Sequence, residues 1–245
     1  MILIVGNTHD DIVYFDSIIR NKKNEVILKK FNATIGTIFN QEVMLLKDVY
    51  TSILSATIVT QIIEKYFILL VFNVGKCQAL PNTGFKIGDV AVSRRITFGD
   101  VNVQNSGETQ VGQIPGFPRI FEVQQDVLLT LINNLSTKTY SKYQECNFVS
   151  CDVQFDNEQE LQFIKHDEYV LGFDRNIVFD NNTAGLAVAG YIHDIPVVAI
   201  KVVSNIIGKK STTEDYLTVL KNYASVGRAV VSSIGDISRN DVIRE

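Results

Sequence analysis

The chain has 245 residues, 46% of them apolar and 20% charged, a balance that suits one soluble α/β domain spanning residues 1–245. Its net charge of −4 gives no reason to expect nucleic acid or an anionic membrane surface as partner. No apolar run reaches membrane-span length, and Met1 to Gly6 lacks the basic opening and longer apolar core of a signal peptide. The three cysteines (Cys77, Cys146, Cys151) have no metal-site spacing, which points to a reduced, cytoplasmic setting and to no metal or cofactor.

Ile2 to Val5 reads as a buried strand closed by Gly6-Asn7. A helix follows from Asp10-Asp11, with Ile12, Phe15, Ile18 and Ile19 on one face. Acidic residues suit that end because the unpaired amides of the first turn carry partial positive charge. Glu25 to Asp48 divides into EVILKKF, ATIGTIF and EVMLLKD, an antiparallel meander with polar or glycine-bearing turns. Ser52 to Lys65 is helical, with Ile53, Ala56, Val59 and Ile62-Ile63 at its apolar positions. A strand from Phe67 to Val74 ends in a turn, Gly75-Lys76-Cys77-Gln78-Ala79-Leu80. There Cys77 is a packed thiol or a nucleophile without a histidine at recognisable spacing, and Lys76 binds an anion or is solvated.

Phe85 to Ser93 reads as a turn and then a strand. Gly112-Gln113-Ile114-Pro115-Gly116-Phe117-Pro118 has two prolines and two glycines in seven residues, which fix a loop. That loop is a rigid surface feature or an interface anchored by Phe117. An amphipathic helix spans Phe121 to Leu135, and Phe148 to Val153 ends a strand. Glu158 to Val178 is irregular; His166 in it, like His193 beside Asp194, reads as solvated. The small-residue helix after Asp180-Asn181-Asn182 stops before Pro196. Val197 to Val203 is then a β-branched run with one charge, as in a strand buried on both faces. Ser204-Asn205 closes it, at the strand end where ligands bind in open α/β sheets. The last helix begins near Ser211-Thr212-Thr213-Glu214, a capping-box pattern, and is expected to fray from Ile234 onward.

Several of these segments resemble the methylthioadenosine/S-adenosylhomocysteine nucleosidase branch of the purine nucleoside phosphorylase superfamily. They are the polar pair and small-residue helix leading through Ile195-Pro196-Val197-Val198 to Ser204-Asn205; Lys86-x-Gly88-Asp89-x-x-x-Ser93; Gly112 to Pro118; and Val149-Ser150-Cys151-Asp152. The resemblance implies a three-layer α/β fold, a central mixed twisted sheet flanked by helices. It implies a purine nucleoside as ligand and assigns site positions. Asp11 stands where a glutamate acts on the attacking water, and Asn205 where an aspartate protonates the base. Asn181-Asn182 replaces a Met-Glu pair that holds the ribose. Gly75 and Lys76 belong to a turn near the ribose or an anion, and Val153 and Phe155 to the base contact. Phe155 is a stacking platform if the alignment slips by one residue, and otherwise core. Gln113, Ile114, Pro115, Phe117 and Pro118 form a loop that reaches a second subunit.

Cleavage of a purine glycosidic bond needs a proton on the base and an activated water or phosphate at the sugar. An amide at Asn205 donates a hydrogen bond but delivers no proton. The ribose carboxylate is also absent, Asp11 is one methylene shorter than glutamate, and the turn Asp48 to Ser52 has no glycine where the family keeps open space. The scaffold is intact while the chemistry is not. The expectation is a pseudoenzyme, a binding or partner subunit in a homodimer or in a heterodimer with a related chain. The alternative is a weak or retuned nucleosidase that re-recruits Asp11, Asp180 or Asp48.

Overall fold

The computed structural model describes residues 1–103, 109–138, 141–161 and 176–240. His166 and most of the irregular segment before residue 176 lie outside the described residues. Ten strands form one mixed sheet: β1 (Ile2–Val5), β2 (Arg20–Ile27), β3 (Phe31–Ile38), β4 (Gln41–Leu46), β5 (Leu70–Ala79), β6 (Val90–Phe98), β7 (Phe121–Glu122), β8 (Tyr143–Ser150), β9 (Ile177–Asp180) and β10 (Val197–Ile206). Among the described residues five α-helices flank it: α1 (His9–Ile18), α2 (Ser52–Lys65), α3 (Gln125–Lys138), α4 (Thr183–Ile192) and α5 (Thr213–Asn240). The expected mixed α/β architecture is therefore present.

The sheet separates two apolar layers, and the strands show it residue by residue. In β1, Ile2 and Ile4 join one core with α1, α3 and α5, while Leu3 and Val5 join the other with α2. Alternation of this kind on a strand with no exposed face produces a continuous apolar run in sequence. A third, smaller cluster holds Phe155, Leu161, Ile177 and Phe179 beneath β9. Helix α4 crosses α2 closely at Gly185, where an added Cβ would lie 2.1 Å from the Ser52 carbonyl oxygen. Ser55 Oγ donates to the Asn182 carbonyl at 2.9 Å, which pins the start of α4 to α2.

Strand order is β10-β6-β8-β9-β5-β1-β4-β3-β2, with a further pairing of β10 to β5. Strands β5, β10, β6, β8 and β9 thus close into a ring. Strand β5 meets β9 antiparallel over only Gln78–Phe179 and Ala79–Val178, so the two strands overlap at their carboxyl ends. Those ends and the loops after β1, β8 and β10 converge on one place.

Five local expectations shift. The turn expected at Gly75 to Leu80 is strand through Ala79, because β10 pairs along that whole stretch and β9 pairs with Gln78 and Ala79 at its end. The first meander strand starts at Arg20, with its turn at Leu28-Lys29, both at positive φ. Phe121-Glu122 is a short strand beside β6, and α3 begins only at Gln125. Helix α5 runs on to Asn240, since Val226, Val230, Ile234 and Ile237 keep a buried stripe to its end. Its cap sits one residue later than expected: Thr212 Oγ1 accepts from the Asp215 amide at 3.2 Å, and Asp215 accepts back from the Thr212 amide at 2.8 Å.

The glycine-free turn before α2 keeps a glycine-like backbone. Asp48 has φ 64° and Thr51 φ 63° with ψ 152°. The second is a region almost reserved for glycine, and a β-branched residue held there stores roughly 1–3 kcal/mol. Thr51 Oγ1 caps Leu54 N at 3.3 Å, an interaction whose loss to glycine costs only a few tenths of a kcal/mol. Thr51→Gly is expected to stabilise the protein by about 1 kcal/mol, seen as a rise of about 2–4 °C in the thermal midpoint. A fall in the midpoint would show that the turn is not strained.

Candidate functional site

The convergence of strand ends encloses a cleft of about 420 Å³. It is walled by Asn7, Thr8 and Asp11 at the start of α1, Lys76 to Gln78 of β5, Cys151 to Gln154 after β8, Asp180-Asn181 at the end of β9, and Ser204-Asn205 of β10. Tyr50 adds the far wall. A ligand crevice at the carboxyl ends of strands is what an α/β sheet offers where its order reverses.

Asp11 is 4% exposed, and its Oδ2 accepts from the amides of Asn7 at 2.9 Å and Thr8 at 2.7 Å. Those are orphan donors at a helix start, so the bland and the functional readings of this carboxylate coincide in place. Its Oδ1 is buried, and the Tyr223 phenol stands against the same carboxylate. Burial, then the Asp11 charge, push the Tyr223 phenol well above its ordinary value. Gly75 explains the tight fit, because a Cβ there would stand 3.1 Å from Asp11 Oδ2.

The floor of the cleft is a buried hydrogen-bonded network centred on Lys201 and Asn182, in which Asn73 Oδ1 is left without a partner. Lys201, fully buried on β10, donates from Nζ to Asp180 Oδ2 at 2.6 Å and to Asn182 Oδ1 at 2.7 Å. Asp180 also accepts from the hydroxyls of Ser150 and Thr183. Asn182 Oδ1 accepts from Asn73 Nδ2 at 2.9 Å, and Asn182 Nδ2 donates to Asn7 Oδ1 and to the Val49 carbonyl, each at 2.8 Å. An amide has two donors and two acceptor sites, and all four of Asn182's are used inside the protein. It is fully buried, so the ribose-holding part expected of it has no free valence. Asn181 does face the cleft, with its Oδ1 accepting from Asn7 Nδ2 at 2.7 Å.

Asn205 lines the cleft beside Ser204, whose Oγ lies 3.1 Å from Asn205 Oδ1 and 3.2 Å from the Cys77 carbonyl oxygen. Cys77 is 2% exposed, and burial pushes its thiol well above the ordinary range, so the packed-thiol reading holds over the nucleophile. Lys76 also faces the cleft, its Nζ 6.0 Å from the Tyr216 ring. Val153 lines the cleft and is 55% exposed. The Phe155 side chain does not line it: fully buried, it packs edge-on against Phe179 at 5.2 Å. The core reading of that ring holds because the third apolar cluster forms around it. Asp48 is exposed on its turn and outside the lining.

Sequence reasoning missed Asn7, Thr8, Tyr50, Gln78 and Asp152 as cleft residues. The lone charge of the β10 run was visible, and a lysine in a strand buried on both faces must have a buried partner. Burial, then the charges of Asp48 and Asp11, raise the Tyr50 phenol above its ordinary value. Asp152 Oδ1 accepts the first amide of α2, Ser52 N, at 2.7 Å. The Gln113 to Pro118 loop lies apart from the cleft. Gln113 Nε2 donates to the Phe117 carbonyl at 3.0 Å, and the Phe117 ring stands 5.9 Å from that of Tyr191. With Pro118, Phe121 and Pro196, Tyr191 lines a second groove of about 460 Å³. Among the described residues no helix is long and apolar enough to cross a membrane.

The fold and this cleft define a class. The phosphorylase superfamily matches the chain over residues 2–234, and the chain belongs to that superfamily. Within it, the relatives are of the 5′-methylthioadenosine/S-adenosylhomocysteine nucleosidase branch. One from Buchnera aphidicola subsp. Baizongia pistaciae is 28% identical over 185 residues, covering 75% of this chain and 70% of the relative. A candidate nucleosidase of this kind from Borrelia burgdorferi, solved bound to adenine, superposes with a TM-score of 0.85 at 23% identity, over 97% of this chain and 100% of the other. The nucleosidase of Neisseria meningitidis in complex with methylthio-immucillin-A gives a TM-score of 0.82 at 20% identity, over 96% of this chain and 97% of the other.

Proposed function

We propose that the chain, acting as one domain over residues 1–245, binds a purine nucleoside of the methylthioadenosine class and has lost most glycosidic-bond cleavage. The observation that carries this reading is the amide at Asn205, the cleft residue at the end of β10. The three carboxylates of the cleft do not replace it: Asp11 and Asp152 take backbone amides, and Asp180 takes Lys201, Ser150 and Thr183. Without an acid the leaving base departs as an anion, and general acid help is worth roughly 10²- to 10⁴-fold in rate.

In this reading Val153 and the Phe155 backbone meet the base, Asn181 a ribose hydroxyl, and Lys76 the polar tail at the mouth. Gly75 admits Asp11 to the sugar side. One observation favours residual activity as a second reading: Asp11 keeps a carboxylate in the cleft lining, at the position that the resemblance gives to the group acting on the attacking water. Contact with a second copy or a related subunit is assigned to the Gln113–Pro118 loop, where Phe117 adjoins the exposed Tyr191. Calorimetric titration with methylthioadenosine and S-adenosylhomocysteine, with adenine release followed in the same samples, tests the reading. Binding with little release is expected. Release at the rate of an active nucleosidase, abolished by Asp11→Asn, would establish the second reading, and absence of binding would remove the nucleoside.

A further inference from the structure

One cleft contact is not explained by folding. Gln78 lines the cleft from β5, half-buried, with its backbone fixed between Phe179 of β9 and Asn205 of β10. Its side chain reaches across to residue 155. Gln78 Nε2 donates to the Phe155 carbonyl at 2.8 Å, and the Phe155 amide donates to Gln78 Oε1 at 3.2 Å. The backbone partners fix which amide atom is oxygen and which is nitrogen, since an N–H must donate and a carbonyl must accept. The Phe155 ring is locked in the apolar cluster beside Phe179, so its backbone is a rigid donor–acceptor pair next to the cleft residue Gln154 and behind the Gln78 side chain.

A primary amide presents an acceptor and a donor about 2.2 Å apart, from standard amide dimensions. The Watson–Crick edge of a 6-aminopurine presents the same order, N1 as acceptor and the N6 amino group as donor, and protein groups read extracted bases along that edge. The geometry points to Gln78 as a built-in stand-in for an aminopurine: its side chain holds the base-reading edge of the cleft closed, and a ligand gains the Phe155 backbone only by displacing it. The inference deepens the nucleoside-binding reading and rests on it. It makes Gln78 a specificity-determining residue that lowers affinity for aminopurines without touching the sugar side.

Calorimetry with adenine and N6,N6-dimethyladenine on the wild-type protein and Gln78→Ala tests this. Adenine is expected to bind Gln78→Ala about tenfold more tightly, the worth of one to two neutral hydrogen bonds no longer competed for. Dimethyladenine, which has no amino hydrogen for the Phe155 carbonyl, is expected to show no such gain. Equal adenine affinity in both proteins would overturn the stand-in and leave the purine site in place. Failure of both proteins to bind adenine would overturn the purine reading and the stand-in together. A nuclear magnetic resonance titration of the wild-type protein covers the case of a poorly folded variant. Adenine at saturation is expected to shift the Gln78 side-chain amide signals, and unshifted signals would overturn the displacement.

Discussion

Asn205→Asp is expected to raise adenine release from methylthioadenosine at least tenfold over the wild-type chain. The substitution is isosteric, and the side chain already lines the cleft with Ser204 Oγ 3.1 Å from its oxygen. Aspartate keeps that acceptor and adds a group that can carry a proton to the base. The full value of a general acid, roughly 10²- to 10⁴-fold, is the upper bound, because the sugar side has no free carboxylate for the ribose. Asn205→Ala is the control and is expected to gain nothing. The gain is expected to be larger when Gln78→Ala is combined with it, since the proton is useful only to a base that is seated. If Asn205→Asp leaves release unchanged in both backgrounds, the missing acid is not what limits this chain, and the defect lies at the sugar.

Lys201→Met is expected to cost about 3–5 kcal/mol of stability, the usual result of removing one partner from a buried ion pair. Methionine fills similar space, so the loss is electrostatic. The Asp180 side chain is 1% exposed and would keep only its two hydroxyl donors, while Asn182 Oδ1 would lose one of two. The thermal midpoint is expected to fall by roughly 6–20 °C for a chain of this size. The double variant Asp180→Asn with Lys201→Met is expected to recover part of that loss, because the uncompensated charge goes with its partner. A fall below about 1 kcal/mol in Lys201→Met would mean that the pair contributes almost nothing beyond burying polar groups. The network sets the floor of the cleft, so its loss is expected to weaken ligand binding along with the fold.

The scaffold was legible because its signals are local. Period-2 and period-3.6 apolar patterns placed β1, the last two meander strands, α2, α4 and β10 within a few residues, and Pro196 marked the break between α4 and β10. Strand β5 was cut short at Val74 because Gly75, Lys76 and Gln78 read as turn residues. They are strand because β10 and β9, more than 95 residues downstream, supply their hydrogen bonds. Asp11 and Asn205, which the resemblance places at an acidic position each, were visible one residue at a time. What filled the site instead was not. Gln78 meets Phe155 across 77 positions and Asn182 meets Asn73 across 109, and no periodicity reports a contact of that kind. Asn182 was assigned to the ribose on its place in the chain, and the structure turns it into the floor because Lys201 and Asn73 claim its oxygen.

The ring of strands also sets the order in which this chain can finish folding. Strands β5 and β6 follow each other in sequence, yet β10 lies between them and pairs with both. A nascent chain that has emerged only through β9 has two unpaired edges facing each other across a gap the width of one strand. Neither Lys201 nor Asn205 is yet present, so Asp180 has no cation and the cleft lacks the side that Ser204 and Asn205 supply. The slow, long-range step is the insertion of Val197 to Ile206, which must wait for nearly the whole chain. Until then the apolar faces of β5 and β6 are open to any passing strand, and it is at this stage, not in the folded state, that the protein is most exposed to self-association.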